Sequence, residues 1–146
     1  MLVSCFTNSF VPHSVEQALP RIKAAGLEHV EIALRRAGDP AAGPEPPDEA
    51  LLDRWQQLLA DLDLNVASAS IMSGDPRSSE VQTITLDKLR MAARLGARIA
   101  VANAGEADNP EEKELLYAFH RRTGDLAGEL GLTVAFETHP GLCESW

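Results

Sequence analysis

Five short apolar runs punctuate the chain: residues 2–7 (LVSCFT), 29–34 (HVEIAL), 65–72 (NVASASIM), 98–104 (RIAVANA) and 132–138 (LTVAFET). Each has the length of a strand, and several carry Val or Ile at alternate positions, the spacing that lines one face of a sheet. Between them lie longer segments of helical period. Residues 48–62 carry Leu51, Leu52, Trp55, Leu58, Leu59 and Leu62, a 3.6-period apolar stripe. Residues 80–95 repeat it with Ile84, Leu86, Leu89, Ala92, Ala93 and Leu95. A helix over 14–25 opens with Ser14 and Gln17 at capping-box spacing. Pro20 is expected to loosen or kink its first turn. A fourth helix starts with Asn109 as cap, Pro110 at the first position and Glu111 and Glu112 in the first turn, and runs to about Leu130.

The helix ends repeat more tellingly than the helices. AAGLEHVEI, DLDLNVASA, RLGARIAVA and ELGLTVAFE each set a helix terminus directly before a strand, with Gly26, Asp63, Gly96 and Gly131 as equivalent points. They recur roughly every 35 residues, a β–α period that means parallel strands joined by crossover helices. Loops from helix to strand are very short. Those leaving strands are long and irregular, and the second, RRAGDPAAGPEPP, holds four prolines. It reads as a stiff excursion rather than a linker between domains. In β/α folds the strand-exit loops form the functional face.

The expected fold is therefore α/β: a (β/α)8 TIM barrel truncated after its fifth strand, one incomplete domain over residues 1–146. It has five parallel strands in order 1-2-3-4-5 and four helices on one outer face. The rival is a complete five-stranded flavodoxin-like binding module, in which strand 1 would lie between strands 2 and 3. Against it, the first strand exit lacks a hydroxyl-rich phosphate loop and an acidic cluster, and no G-x-G-x-x-G occurs. An open barrel would leave strands 1 and 5 as unpaired edges, so self-association through those edges is expected.

Composition narrows the partners. The chain has a net charge of −9, and its basic residues are scattered, so it repels phosphate backbones and nucleic acid is not an expected partner. Only Cys5 and Cys143 are present, and reduced thiols are the plain reading. The opening MLVSCF lacks a basic n-region and a long apolar core. No stretch approaches the roughly 20 apolar residues a membrane span needs, so no membrane partner and a cytoplasmic protein are expected.

The strongest chemical signal is Phe136-Glu137-Thr138-His139-Pro140-Gly141 at the fifth strand's exit. Alternation sets Glu137 and His139 on one side and Phe136 on the other, while Thr133 and Ala135 share Glu137's inward side and leave room at the axis. A carboxylate and an imidazole there suit a divalent cation or a proton-transfer site. They equally suit a solvated Glu and a loop His before a turn. Asn103 ends the fourth strand. Glu31, between Val30 and Ile32, must be paired or face a polar cavity to be tolerated inside a strand. His13 lies in the first exit loop, within reach of a ligand or simply at the surface. His29 and His120 read as structural or solvent-facing.

Taken together, residues 14–34 (SVEQALPRIKAAGLEHVEIAL), 86–105 (LDKLRMAARLGARIAVANAG) and 130–141 (LGLTVAFETHPG) resemble the first part of the xylose isomerase-like TIM-barrel superfamily. That superfamily includes sugar and sugar-phosphate isomerases and epimerases, dehydratases and endonuclease IV. The resemblance implies that Glu137 is a metal ligand and takes part in proton transfer, with His139, Asn103, Glu31 and His13 as substrate-binding candidates. It implies a divalent metal (Mn, Mg, Co or Zn) in the intact protein, a small carbohydrate-type substrate, and further ligands from strands six to eight. The family's nuclease branch carries a His where this sequence has Asn103, which favours the carbohydrate branch. The implied function is the front part of a metal-dependent sugar or sugar-phosphate isomerase or epimerase, inactive as this chain alone. A non-catalytic barrel relative remains the other alternative.

Overall fold

The computed structural model describes residues 2–35 and 46–137. In chain order the elements are β1 (Cys5–Phe6), a 3-10 turn (Thr7–Phe10), α1 (Val15–Ala24), β2 (His29–Ala33), α2 (Glu49–Asp61), β3 (Asn65–Ser70), α3 (Ser79–Arg94), β4 (Ile99–Asn103), α4 (Pro110–Glu129) and β5 (Thr133–Glu137). The strands are all parallel and pair in the order β1-β2-β3-β4-β5. A doubly wound sheet would insert β1 between β2 and β3. Here β2 and β3 pair directly, so the chain follows the barrel order.

Two helices start at the caps expected from the sequence, Ser14 and Asn109, and the other two start at Asp48 and Ser78. Ser14 and Gln17 form both halves of a capping box, and Asp48, Ser78 and Asn109 each accept from a backbone N–H three residues on. α1 runs continuously through the exposed Pro20, so the expected disruption of its first turn does not interrupt the helix. Every helix ends in the same way. Leu27, Leu64, Ala97 and Leu132 donate their backbone N–H groups to the carbonyls of Ile22, Leu59, Ala92 and Ala127. This is the Schellman closure, and it requires a left-handed residue just before each donor. Gly26, Asp63, Gly96 and Gly131 supply it, at φ of 82°, 49°, 82° and 72°.

The first apolar run is the element the sequence overstates. Pairing is confined to Cys5↔Val30 and Phe6↔Glu31, and Leu2 and Val3 are exposed. Strand pairing stops at Thr7, whose hydroxyl accepts the Ala33 N–H at 3.0 Å in place of a backbone carbonyl.

One face of the sheet packs on the helices. Val30, Ile32, Leu34, Val66, Ala69, Ile71, Ala100 and Ala102 join Leu19, Ile22, Leu52, Trp55, Leu59 and Leu89 in one buried cluster. Fully burying a Leu- or Ile-sized side chain contributes about 1.5–3 kcal/mol, so this layer is the main source of stability. A register shift between Val30 and Glu31 leaves Ala67 as an extra residue in β3. It changes the phase of that strand, so that Val66 and Ala69 share the helix face while Ser68 and Ser70 face the barrel axis. The axial face is polar and, at β5, exposed: Thr133, Ala135 and Glu137 are all open to solvent. No helix among the described residues is long and apolar enough to cross a membrane.

Candidate functional site

The strand exits build a mouth. In β5, Val134 packs against the core and Phe136 sets its ring edge-on to His120, with centroids 4.6 Å apart. Those two contacts fix the strand's outward face, and the alternate residue Glu137 consequently faces the axis. There it lines a cavity of about 350 Å³ together with Phe6, Asn8, Ala33, Arg35, Ser70 and Met72. These residues come from the ends of β1, β2 and β3, so the cavity collects side chains from four strands.

Asn103 is the register partner of Glu137 on β4 and shares its face. Its Nδ2 donates to the Gly74 carbonyl at 3.1 Å. It also lines a neighbouring cavity of about 460 Å³ between the β3 and β4 exits, with Asp75, Arg77, Gly105 and Glu106 among its walls. Glu31 lies on the same axial face, two residues (roughly 7 Å) below Ala33 at the mouth. Its cost inside the strand is met by the buried Ser68, whose hydroxyl donates to Glu31 Oε2 at 2.6 Å. His13 is exposed beyond the 3-10 turn and does not line the mouth cavity. His139 lies outside the described residues, as do residues 36–45 of the proline-rich loop and Cys143. The structure thus brings Glu137 and Asn103 together, puts Glu31 beneath them, and leaves His13 apart.

Supporting contacts hold the exits in place. His120, on α4, hydrogen-bonds the Ala104 carbonyl through Nε2 at 2.7 Å while its ring packs on Phe136. It therefore ties the β4 exit to the β5 exit. Burial pushes its pKa below the ordinary histidine value, which favours the neutral ring. Arg77 pairs with Asp75, Asp108 and Glu112 at 2.8, 3.2 and 3.0 Å, clasping the β3 exit to the start of α4. Hydrogen bonds to the Arg77 side chain and backbone hold the Asp75 carboxyl below its usual range. At Gly105 a Cβ would stand 2.6 Å from the Pro76 ring, so a side chain there would force the two exit loops apart.

Two residues at this end escape a hydropathy reading. Arg35 reaches back to Asn8, its Nη2 donating to the Oδ1 of that residue. Lys88 is fully buried in α3 and donates to the Met72 carbonyl at 3.0 Å. Burial, and secondly the charge of Arg35, lower its pKa to about 8. The available signal was positional, since Thr85, Lys88, Leu89 and Ala92 occupy one helical face.

As a metal site the described residues are incomplete. They contain no group of three or more His, Cys, Asp and Glu side chains placed to hold an ion. Glu137 offers one carboxylate, which suits a hard divalent cation but cannot define its coordination sphere.

Known proteins match this architecture. The solved structure of a D-tagatose 3-epimerase-like protein superposes with a TM-score of 0.73 at 13% identity, covering 97% of this chain and 54% of that one. A xylose isomerase-like TIM barrel protein from Mycobacterium smegmatis, solved in complex with magnesium, gives 0.73 at 16% identity, covering 94% and 55%. An L-ribulose 3-epimerase gives 0.66 at 22% identity, covering 93% and 49%. At such identities the likeness establishes the fold, and the chain spans about half the length of these structures. No curated protein matches the sequence. The sequence profile described as xylose isomerase-like TIM barrel matches residues 19–144, most of the chain, and places it in that family. By strand order, by superposition and by this match, the chain belongs to the xylose isomerase-like TIM barrel family.

Proposed function

We propose that this chain forms the first five strands of a sugar or sugar-phosphate isomerase or epimerase that works by proton transfer beside a carbonyl. The observation that carries the reading is the position of Glu137: axial, at the end of β5, in a cavity walled by the ends of β1 to β3. A cavity of about 350 Å³ is of the size that small ligands occupy.

In this reading the Glu137 carboxylate removes the proton from the carbon next to the substrate carbonyl, and the electron pair moves onto the carbonyl oxygen to give an enediolate. Return of that proton to the former carbonyl carbon, with the proton of the neighbouring hydroxyl passing to the former carbonyl oxygen, isomerises the substrate. Epimerisation instead needs a second acid, from barrel units beyond these residues, to protonate the same carbon on the opposite face while Glu137 keeps the proton it removed. Asn103, Ser70 and Glu31 offer polar groups to substrate hydroxyls from the axial face. His139 contacts substrate or supports Glu137, and His13 approaches from the first exit loop. A divalent cation would take one oxygen from Glu137 and its remaining ligands from beyond these residues. A cytoplasmic setting belongs to the same proposal.

The test is proton exchange. A protein carrying this chain and the remaining barrel units, incubated in D₂O with ketopentoses and ketohexoses, should exchange the proton adjacent to the carbonyl, as followed by ¹H NMR. Exchange at an undiminished rate in Glu137→Gln would refute the assignment of the base.

A further inference from the structure

Asn103 and Glu137 are the last register pair between β4 and β5, and one side chain outside the sheet touches the neighbour of each. That side chain is His120, half-buried in α4 beside Leu116, Phe119 and Thr123, which are buried. Its Nε2 donates at 2.7 Å to the carbonyl of Ala104, the residue after Asn103. A carbonyl offers no hydrogen, so Nε2 carries the proton, and the bond orients the ring. The ring meets Phe136, the residue before Glu137, with centroids 4.6 Å apart and planes at 67°. That is the edge-on arrangement aromatic pairs favour. Phe136 is itself 39% exposed, at a strand end, where few contacts hold the backbone and local opening begins. An apolar side chain at position 120 would pack without a directional bond, and a polar one without a ring would bond without packing. Histidine supplies both.

We propose that His120 is a positioning residue for the Glu137 site. It sets the direction of the carboxylate through Phe136 and the place of the Asn103 amide through Ala104. The inference rests on reading Glu137 as the base, and it adds to that reading the residue that aims it. Successive side chains leave a strand on opposite faces, so a roll of β5 that frees Phe136 also turns Glu137 away from the axis. His120 stands on the Phe136 side of the strand and Glu137 on the other, so the effect passes through the backbone and not through the substrate. Its consequence for rate is large, because a base must stand about 2.6–3.2 Å from the proton it takes and a misplacement of about 1 Å can cost about 10²-fold.

Amide hydrogen exchange on the 146-residue chain reads this hold without any turnover. His120→Ala should speed exchange of the β5 amides about tenfold and leave those of β2 and β3 unchanged. Proton exchange beside the carbonyl, followed by ¹H NMR in a protein carrying the remaining barrel units, reads the consequence. There His120→Ala should lower kcat about tenfold or more while KM stays within about twofold. His120→Phe, which keeps the ring, and His120→Gln, which keeps a donor, should each recover part of kcat. Thermal melts establish which variants fold, and His120→Gln against the native protein replaces the comparison if His120→Ala does not. Native kcat in a folded variant, a loss carried by KM alone, or β5 exchange equal to that of the native chain would each overturn the proposal. Undiminished proton exchange in Glu137→Gln is a separate failure, that of the base assignment, and the β5 amides still decide whether His120 holds the exit.

Discussion

Asn103 and Glu137 end adjacent parallel strands in direct register, so their side chains leave the same face of the sheet at the same height. This places an amide beside the carboxylate assigned as base. Glu137→Gln keeps the shape and removes the charge. In a protein with the remaining barrel units it should lower turnover by about 10²-fold or more and cost most of the affinity for Mn²⁺. Because residue 137 is exposed, the melting temperature should hardly change. In the 146-residue chain the same substitution should leave calorimetric Mn²⁺ titrations unaltered, since one carboxylate does not complete a site. Tight Mn²⁺ binding by that chain would remove the basis for this prediction.

Lys88 gives a pH signature. Its folded pKa of about 8 lies below the model-peptide value of 10.5, so between those values the unfolded chain binds more protons than the folded one. Stability from this residue therefore rises as pH increases through about 8 to 10.5, by at most about 3 kcal/mol at 1.36 kcal/mol per unit. Below pH 8 the lysine is charged in both states and the contribution is flat. Denaturant unfolding at pH 7.5 and 9.5 should show the rise in the native sequence and lose it in Lys88→Met. An identical slope in the two would show that Lys88 is not desolvated.

The same substitution should have opposite signs at two glycines. Gly96 closes α3 at a φ of 82° and Gly124 sits inside α4, and neither has an atom within 4 Å of an added Cβ. Gly96→Ala therefore meets only backbone strain and should cost about 1 kcal/mol. Gly124→Ala meets only the helix preference for alanine and should add about 0.5–1 kcal/mol. Urea titration of both variants decides the matter, and a loss of stability in Gly124→Ala would contradict it.

Ala135 on the axial side of β5 and the exposed Ile99 leave apolar surface uncovered among the described residues, and β1 and β5 each leave a strand edge unpaired. The 146-residue chain is expected to self-associate, with a sedimentation coefficient that grows with concentration. Ala135→Lys and Ile99→Lys should each shift it toward monomer. A native sample that stays monomeric at high concentration would count against open edges.

The sequence by itself determined the local structure. Caps at Ser14 and Asn109, left-handed closures at Gly26, Asp63, Gly96 and Gly131, and the β–α period are all short-range matters of backbone hydrogen bonding, legible without a partner. Combined, they gave parallel strands in chain order, and strand alternation set Glu137 opposite Phe136. Tertiary structure decided what depends on pairing and burial. The extra residue at Ala67 turns Ser68 and Ser70 to the axis against simple alternation, because register is fixed between β2 and β3 rather than within either. Thr7 halts β1 by taking the Ala33 N–H, a bond between residues 26 positions apart. Lys88 and Arg35 acquired their place for the same reason. Hydropathy assigns both to water, and only the packed sheet shows Lys88 wholly enclosed and bonded to the Met72 carbonyl and Arg35 in the wall of the mouth cavity.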